Sequence, residues 1–329
     1  MEPFIYRRAT DASQALALAA APGAIFIAGG TELLNWLKEG IVRPGTLVDI
    51  NGLQDLETID TAPGRLRIGA LARMSEVAAH PAVRRDYPAV AEALVRSASQ
   101  QLRNMASMGG NLLQRTRCPY FRADAPVPCN KRAPGSGCAA LRGADRHAAI
   151  FGWSDACVAT HPSDVAVAFA ALDAVVHVQG PQGAREVPFG DFYRLPGDRP
   201  QDDTTLRPGE LIVAIEVPAS AVAARSRYIK VRERASYEFA LVSAAVGIDL
   251  DGATIRNARI ALGGVAPKPW RLRVAERALA GRPFTVAAVR AALESGAFSE
   301  ARPRRANGFK VDLAKRAVVR AAVGLGAGA

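Results

Sequence analysis

Apolar and polar positions along the first hundred residues fall into short blocks whose period switches between two and about 3.6, the signature of alternating strands and helices. "PFIYRRA" and "AIFIAGG" read as strands, and "DASQALALAAAP" between them reads as a helix capped by Asp11. "TELLNWLKEG" predicts a second helix that carries Thr31 and Glu32 in its first turn and ends at Gly40. "TLVDI" and "RLRIGAL" follow as strands. "MSEVAAHPAVRRDYPAVAEALVRSA" has a helical pattern broken at Pro81 and Pro88, because a proline ring removes a donor and clashes with the preceding turn. "SQQLRNMASMGGNLLQ" then brings a second glycine turn.

Residues 115–158 have no period, and a loop of that length inside a compact domain is usually functional or disordered. Order resumes in "HPSDVAVAFAALDAVVHVQG", a helix from Ser163 followed by a strand. Beyond the Pro/Gly/Asp-rich stretch 194–210, "ELIVAIEVP", "SRYIKVRE" and "ATIRNARIALGGV" predict strands. "FALVSAAVGIDL" is a strand candidate whose length also suits a helix, and amphipathic helices run from Arg271 to the end. The expected class is α+β, with a larger unit over 1–220 and a smaller unit of antiparallel sheet plus helices over 221–329.

Composition narrows the function without naming it. Of 329 residues, 49% are hydrophobic, enough for two cores, and Lys+Arg outnumber Asp+Glu by 42 to 31 for a formal net charge of +11. Such a field suits an anionic cofactor or an acidic partner subunit. No long Lys/Arg block and no basic stripe interleaved with aromatics is present, so nucleic acid is not the expected partner. No apolar run approaches the roughly 18 residues of a membrane span. "MEPFIYRRAT" lacks the plan of a signal peptide, and the expectation is a chain with no export signal of its own.

"FIAGGTELL" sets Gly29 and Gly30 between a strand and a helix start, where bare backbone and free N–H groups attract an anion. It is not the G-x-G-x-x-G fingerprint, and a tight turn chosen for steric reasons explains it equally well. "RNMASMGGNLL" repeats the device at Gly109 and Gly110, with Ser107 and Asn111 able to bond phosphate or ribose oxygens. Two such turns suggest a ligand with two phosphates; the alternative is a pair of ordinary turns.

Taken in order, "FIAGGTELL", "LRNMASMGGNLLQ", "THPSDVAVAFAALDA" and "YIKVRERASYEFALVSAAV" resemble the FAD-binding subunit or domain of the molybdenum hydroxylases, the xanthine dehydrogenase and aldehyde oxidoreductase family. The resemblance covers essentially the whole chain. The cysteine-bearing insert resembles that of the flavoprotein subunits of bacterial periplasmic aldehyde oxidoreductases, heterotrimers with a molybdenum subunit and a small two-iron subunit. It implies a two-subdomain, PCMH-like FAD-binding unit, subdomains about 1–58 and 59–220, followed by the C-terminal domain. By motif match, Phe26, Ile27, Ala28, Gly29, Gly30, Thr31, Glu32 and Leu33 would wrap the FAD pyrophosphate. Ser107, Met108, Gly109, Gly110 and Asn111 would form a second cradle. Asp164 would lie near the ribose and adenosine, Lys230 would reach the flavin and Ile212 would pack beside the cofactor. Many relatives pass from the second glycine turn to the Asp motif within about a dozen residues, whereas here the insert intervenes and holds every cysteine.

The spacing Cys118-x10-Cys129-x8-Cys138-x18-Cys157 contains no CxxC pair, which disfavours structural zinc. Two disulfides in an oxidising compartment, or four structural thiols, remain alternatives. A [4Fe–4S] centre needs four thiolates converging from different directions, and a Pro/Gly-rich wrapper supplies the varied backbone angles and N–H···S bonds. Ligation by all four cysteines is the favoured expectation, and the resemblance points the same way. Arg115, Arg117, Lys131 and Arg132 would offset the cluster's negative charge, and without iron the loop has little reason to order.

His147, His161, His177 and Trp153 read as structural, and no Ser/His/Asp or paired-carboxylate constellation supports hydrolysis. The resemblance implies a subunit that carries FAD and a four-iron centre. Aldehyde and water would become carboxylic acid at a molybdenum cofactor on a large partner subunit. Electrons would pass through [2Fe–2S] clusters on a small partner to FAD and on to an external acceptor, in a heterotrimer or its dimer. The chain would reach the periplasm with a signal-bearing partner, or stay in the cytoplasm. The rival readings are a self-sufficient flavin oxidoreductase and a zinc-stabilised basic binding module.

Overall fold

The computed structural model describes residues 1–328. The chain opens with a parallel three-stranded sheet of β1 (Ile5–Arg8), β2 (Ala24–Ile27) and β3 (Thr46–Asp49), with β3 in the middle. Helix α1 (Ala12–Ala19) makes the first crossover, its start fixed by Asp11, whose carboxylate accepts from the Gln14 amide. Helix α2 (Leu33–Lys38) is shorter than its sequence pattern. Thr31 and Glu32 lie in the preceding turn, not in the first helical turn, because the Glu32 carboxylate accepts from the Trp36 indole and pairs with arginines elsewhere.

The second sheet is antiparallel, in the order β4-β5-β8-β6-β7: β4 (Ile59–Asp60), β5 (Arg65–Gly69), β6 (Val175–Gly180), β7 (Gly183–Pro188) and β8 (Leu211–Pro218). Between β5 and β6 come α3 (Met74–Ala79), α4 (Pro81–Asp86) and α5 (Pro88–Arg96), split as expected with each proline in a first helical turn. α6 (Gln100–Met105) and α7 (Met108–Leu112) follow. The second glycine stretch is therefore not a turn: Gly109 and Gly110 are helical, because the Ser107 hydroxyl accepts from the Gly110 amide and starts α7.

All eight residues of α8 (Asp164–Ala171) are buried, as a helix apolar on every face requires, and it packs against α5 and both long strands of the third sheet. After the short α9 (Phe189–Phe192) and α10 (Ala221–Ala224), that sheet runs β12-β11-β10-β9, all antiparallel: β9 (Ser226–Val231), β10 (Val242–Asp251), β11 (Thr254–Gly263) and β12 (Trp270–Arg271). β10 is the apolar run that suited either structure, and its near-continuous burial is that of a central strand covered on both faces. Helices α11 (Arg273–Leu279), α12 (Val286–Glu294) and α13 (Phe309–Gly324) complete the C-terminal core. No helix among the described residues is long and apolar enough to cross a membrane.

The insert 115–158 holds one 3-10 turn, Ala139–Leu141, yet it is tied down at many points. Asn130 donates to the Ala156 carbonyl, and Arg304 to that of Leu141. Lys310, 1% exposed, donates from Nζ to the carbonyls of His147, Ala148 and Gly264 at 3.1, 3.0 and 2.7 Å, joining α13 to the end of the insert and the turn after β11. These bonds anchor the insert alongside whatever order a bound metal would add.

Lys310→Met would leave three carbonyls without their donor and is expected to destabilise the fold by about 3 kcal/mol. A chemical denaturation midpoint equal to that of the parent chain would contradict this.

Candidate functional site

A cavity of about 600 Å³ opens between the turn after β2, α7, the start of α8, the beginning of β8 and residues 234–239. All of Phe26–Leu33 except Ile27 line it, as do Ser107, Gly109, Gly110, Asn111, Asp164 and Ile212. Ile27, Met108 and Lys230 do not. Residues without a sequence signal complete the walls, among them Trp36, Leu113, Tyr237 and Phe239, which make one side apolar and aromatic.

The two glycine stretches behave differently. The amides of Gly29, Gly30, Thr31 and Glu32 have no acceptor among the described residues, so this turn presents free N–H donors to the cavity. Gly30 has φ +69°, the left-handed region, whereas Gly29 is required by a neighbour: an added Cβ would stand 1.8 Å from the Met105 carbonyl oxygen. Arg73 donates to that same carbonyl at 2.7 Å and reaches Asn51 with its other arm. Around α7 the donors are already spent. Met108 and Gly109 donate to the carbonyls of Ala72 and Ala70, and Gly110 and Asn111 donate to Ser107. The Asn111 side chain accepts from Ser163 and donates to the Met74 sulfur. The expected second cradle therefore offers a surface to the cavity but few free donors.

Asp164 is 5% exposed and its oxygens are committed. Tyr228 donates to Oδ1 at 2.5 Å, and Ser97 and Lys230 donate to Oδ2 at 3.0 and 2.8 Å. Lys230 also donates to the Arg96 carbonyl, so its amine neutralises Asp164 instead of reaching the cavity. Burial, the Asp164 charge and its hydrogen bond hold the Tyr228 hydroxyl well above its usual pKa, so it remains a donor.

The other carboxylates on the cavity wall are matched too. Glu210 pairs with Arg185 at 2.6 Å. Glu238 accepts from the amides of Glu233 and Arg234. Glu32 pairs with Arg117 at 2.8 Å and Arg122 at 2.5 Å, and Arg117 lies against the Phe239 ring, 4.6 Å from its centroid. Of the carboxylates that line this cavity, Asp164, Glu210 and Glu32 are thus paired with cations, and Glu238 is held by two backbone amides.

Another cavity is far smaller, about 10 Å³ on the same measure, and Cys118, Cys129, Cys138 and Cys157 all line it. A bridge pairs Cys129 with Cys138, another pairs Ser154 with Cys157, and all four thiols are free. No group of three or more His, Cys, Asp or Glu among the described residues closes to the spacing of a single ion. A cluster core is wider than one ion, so its ligands stand further apart than those of zinc. The Ala159 amide donates to the Cys157 sulfur at 3.5 Å, and the amides of Tyr120 and Phe121 face that of Cys118. Burial pushes the Cys157 thiol up to about 12, with the Lys131 charge opposing, and burial also raises Cys118.

The cations expected to offset the cluster's charge also have partners of their own, and Lys131 lines the cysteine cavity besides. Arg115 and Lys131 pair with Asp203, Arg117 with Glu32, and Arg132 donates to the carbonyls of Ala123 and Glu39. Burial pushes the Asp203 carboxyl upward, but Lys131 and Arg115 outweigh it and leave the group below its usual pKa. His161, between the two cavities in sequence, lies tilted at 52° against the Tyr193 ring with centroids 4.3 Å apart, and accepts from the Ser163 amide. Burial drives its pKa down to about 4 against the pull of Asp203, so it is a neutral structural ring, as its sequence setting suggested.

Comparison with known proteins gives a consistent answer. The profile of the FAD binding domain in molybdopterin dehydrogenase matches residues 2–220, and that of the CO dehydrogenase flavoprotein C-terminal domain matches residues 227–324. The chain is 51% identical over 319 residues to the aldehyde oxidoreductase FAD-binding subunit PaoB of Escherichia coli K12, covering 96% of each. It is 28% identical over 256 residues to the glyceraldehyde dehydrogenase medium chain of Sulfolobus acidocaldarius, covering 78% of this chain and 73% of that one. Among solved structures, a chain of quinoline 2-oxidoreductase from Pseudomonas putida 86 aligns with a TM-score of 0.75 at 25% identity, over 98% of this chain and 97% of that one. A chain of carbon monoxide dehydrogenase from Hydrogenophaga pseudoflava gives 0.75 at 27% identity, over 99% of each.

Gly29→Ala is expected to push the turn away from Met105 and lower both stability and retained FAD; an unchanged melting temperature with full FAD would contradict it. For His161 the folded pKa lies below the unfolded value of about 6.5, so its contribution is complete above that pH and is lost as pH falls toward 4. The 2.5-unit shift corresponds to about 3 kcal/mol, so His161→Gln should flatten the stability profile between pH 6.5 and 4 by roughly that amount. Parallel profiles for the two proteins would refute it.

Proposed function

The chain belongs to the FAD-binding subunits of the molybdenum hydroxylases, and we propose that it is the FAD- and [4Fe–4S]-carrying electron-transfer subunit of a molybdenum-dependent aldehyde oxidoreductase. The observation that carries the four-iron assignment is the convergence of four cysteines, spread over forty residues of sequence, on one small cavity beside the larger one.

The residues present fit FAD. Free amides at Gly29–Glu32 suit a pyrophosphate, and the apolar walls suit the ring systems. Gly29 and Gly30 leave the backbone donors of the turn uncovered by side chains, while Ile212, Leu113 and Phe239 offer apolar surface to a ring system. Bound flavin supplies a redox centre able to take up electrons singly and release them singly or in pairs. Asp164, held by Tyr228 on Oδ1 and by Ser97 and Lys230 on Oδ2, fixes the start of α8 against the cavity.

The residues also fit a four-iron centre. Each cysteine arrives on a different backbone run, and amides at 120, 121 and 159 stand ready to donate to sulfur. The likeness to an aldehyde oxidoreductase subunit supports assigning aldehyde oxidation to a molybdenum-bearing partner, with a two-iron subunit between it and this chain. Assembly is as a heterotrimer or its dimer, in the periplasm by export with a signal-bearing partner or in the cytoplasm, and electrons leave to an external acceptor.

Anaerobically purified full chain should carry one FAD and about four irons, with a broad absorption near 400 nm beneath the flavin bands. Cys157→Ser should reduce iron to below about one per chain while flavin remains bindable at saturating FAD. Zinc in place of iron, or full iron retention after Cys157→Ser, would defeat the four-iron assignment. Aldehyde turnover by the isolated chain would favour the self-sufficient oxidoreductase.

A further inference from the structure

The two cavities meet along the chain where Arg117 lines the larger and its neighbours Thr116 and Cys118 line the smaller, and the Glu32 carboxylate holds this junction. Glu32 stands in the turn whose amides face the larger cavity, and it also lines that cavity. Its oxygens grip Arg117 at 2.8 Å and Arg122 at 2.5 Å, residues that bracket Cys118 one position before and four after. Arg122 carries the connection further: its Nε donates to the Thr116 carbonyl, and the Thr116 hydroxyl accepts from the Cys118 amide at 3.2 Å. Arg117 lines the larger cavity and Cys118 the smaller, and consecutive Cα atoms are about 3.8 Å apart.

The sign of the electrostatics follows. With both guanidiniums in place, Glu32 is neutralised beside the amides that would receive a pyrophosphate. If the insert loosens, Arg117 and Arg122 withdraw together, and an unpaired carboxylate faces the same anion. Resting on the function proposed above, we propose that Glu32 and Arg117 are positioning residues that make FAD binding and cluster binding a linked pair, each strengthening the other. A cluster drawing the four cysteines together fixes Cys118, and so the two arginines. FAD in its cavity fixes the turn, and so Glu32. Linkage requires the enhancement to be equal in both directions.

The test uses the full chain, cluster-loaded or stripped by an iron chelator under anaerobic conditions, with FAD affinity read from flavin fluorescence quenching. Stripping the parent chain should weaken FAD about tenfold, and bound FAD should raise the equilibrium chelator concentration needed to remove the iron by the same factor. In Glu32→Gln the amide cannot repel phosphate, so the loaded and stripped forms should bind FAD within about twofold of each other. In the loaded state Arg117→Met should weaken FAD, and adding Glu32→Gln to it should restore affinity, a rescue that a purely structural role would not give. Equal FAD affinity in loaded and stripped parent chain, or a tenfold ratio that survives in Glu32→Gln, would overturn the linkage. Should Glu32→Gln fail to fold, the Arg117→Met comparison decides: an unchanged ratio between its loaded and stripped forms overturns the proposal. A parent chain that never holds iron defeats the four-iron reading itself and this inference with it. An iron-loaded chain with independent sites defeats the linkage alone.

Discussion

A carboxylate taken out of water must be matched by a cation or hydrogen-bond donors, and three matched carboxylates set the geometry on which everything else here depends. Asp164, closed in by Lys230, Tyr228 and Ser97, ties the start of α8 to β9 and to the end of α5. Glu32 ties the glycine turn to the first half of the insert, and Asp203 ties Arg115 and Lys131 of the insert to the segment that follows β7 and α9. Of the three, Asp164 with Lys230 has both side chains buried, and removing one partner there costs about 3–5 kcal/mol because the remaining charge is stranded; the Glu32 and Asp203 nodes are partly exposed and weaker. The cavities lie between these joints.

Elements with a strong local signal were legible in the sequence. The proline-split helices, the Asp11 and Ser163 caps and the strands after residue 210 follow from period and punctuation alone, because each is decided by residues within one or two turns of each other. β10 was ambiguous in sequence because burial on both faces erases the alternation that separates strand from helix. The family, its FAD-binding role and the α+β class were carried by motifs, and the profile matches over 2–220 and 227–324 agree with them.

Side-chain destinations were not legible, and the reason is physical. Lys230 in a strand can point to either side of the sheet, and its amine goes where Asp164 waits, a partner 66 residues away. Gly109 lies in a motif that suggests phosphate, but the space where its Cβ would be is filled by Ala70, 3.1 Å away, so packing accounts for the glycine. Arg117 pairs with Glu32, and Arg115 and Lys131 with Asp203, carboxylates remote in sequence that only the fold brings beside the insert. Cysteine convergence was legible because four thiols on one irregular segment have few ways to share a job.

The place of the insert in the chain explains its proximity to the larger cavity without any special selection of distance. It leaves the body of the protein through Leu113, Gln114 and Arg117 and returns through Pro162 and Asp164, all of which line that cavity. A segment entering and leaving through the wall of a binding site cannot be placed far from it, whatever its internal sequence. Cys118 and Cys157 stand near these two crossing points, and Cys129 and Cys138 on the far bend, whose tip around 124–126 and 133–136 is exposed. The cysteine cavity is thereby tied to the wall of the larger cavity at both ends of the insert, through Arg117 beside Cys118 and through the run from Cys157 to Pro162.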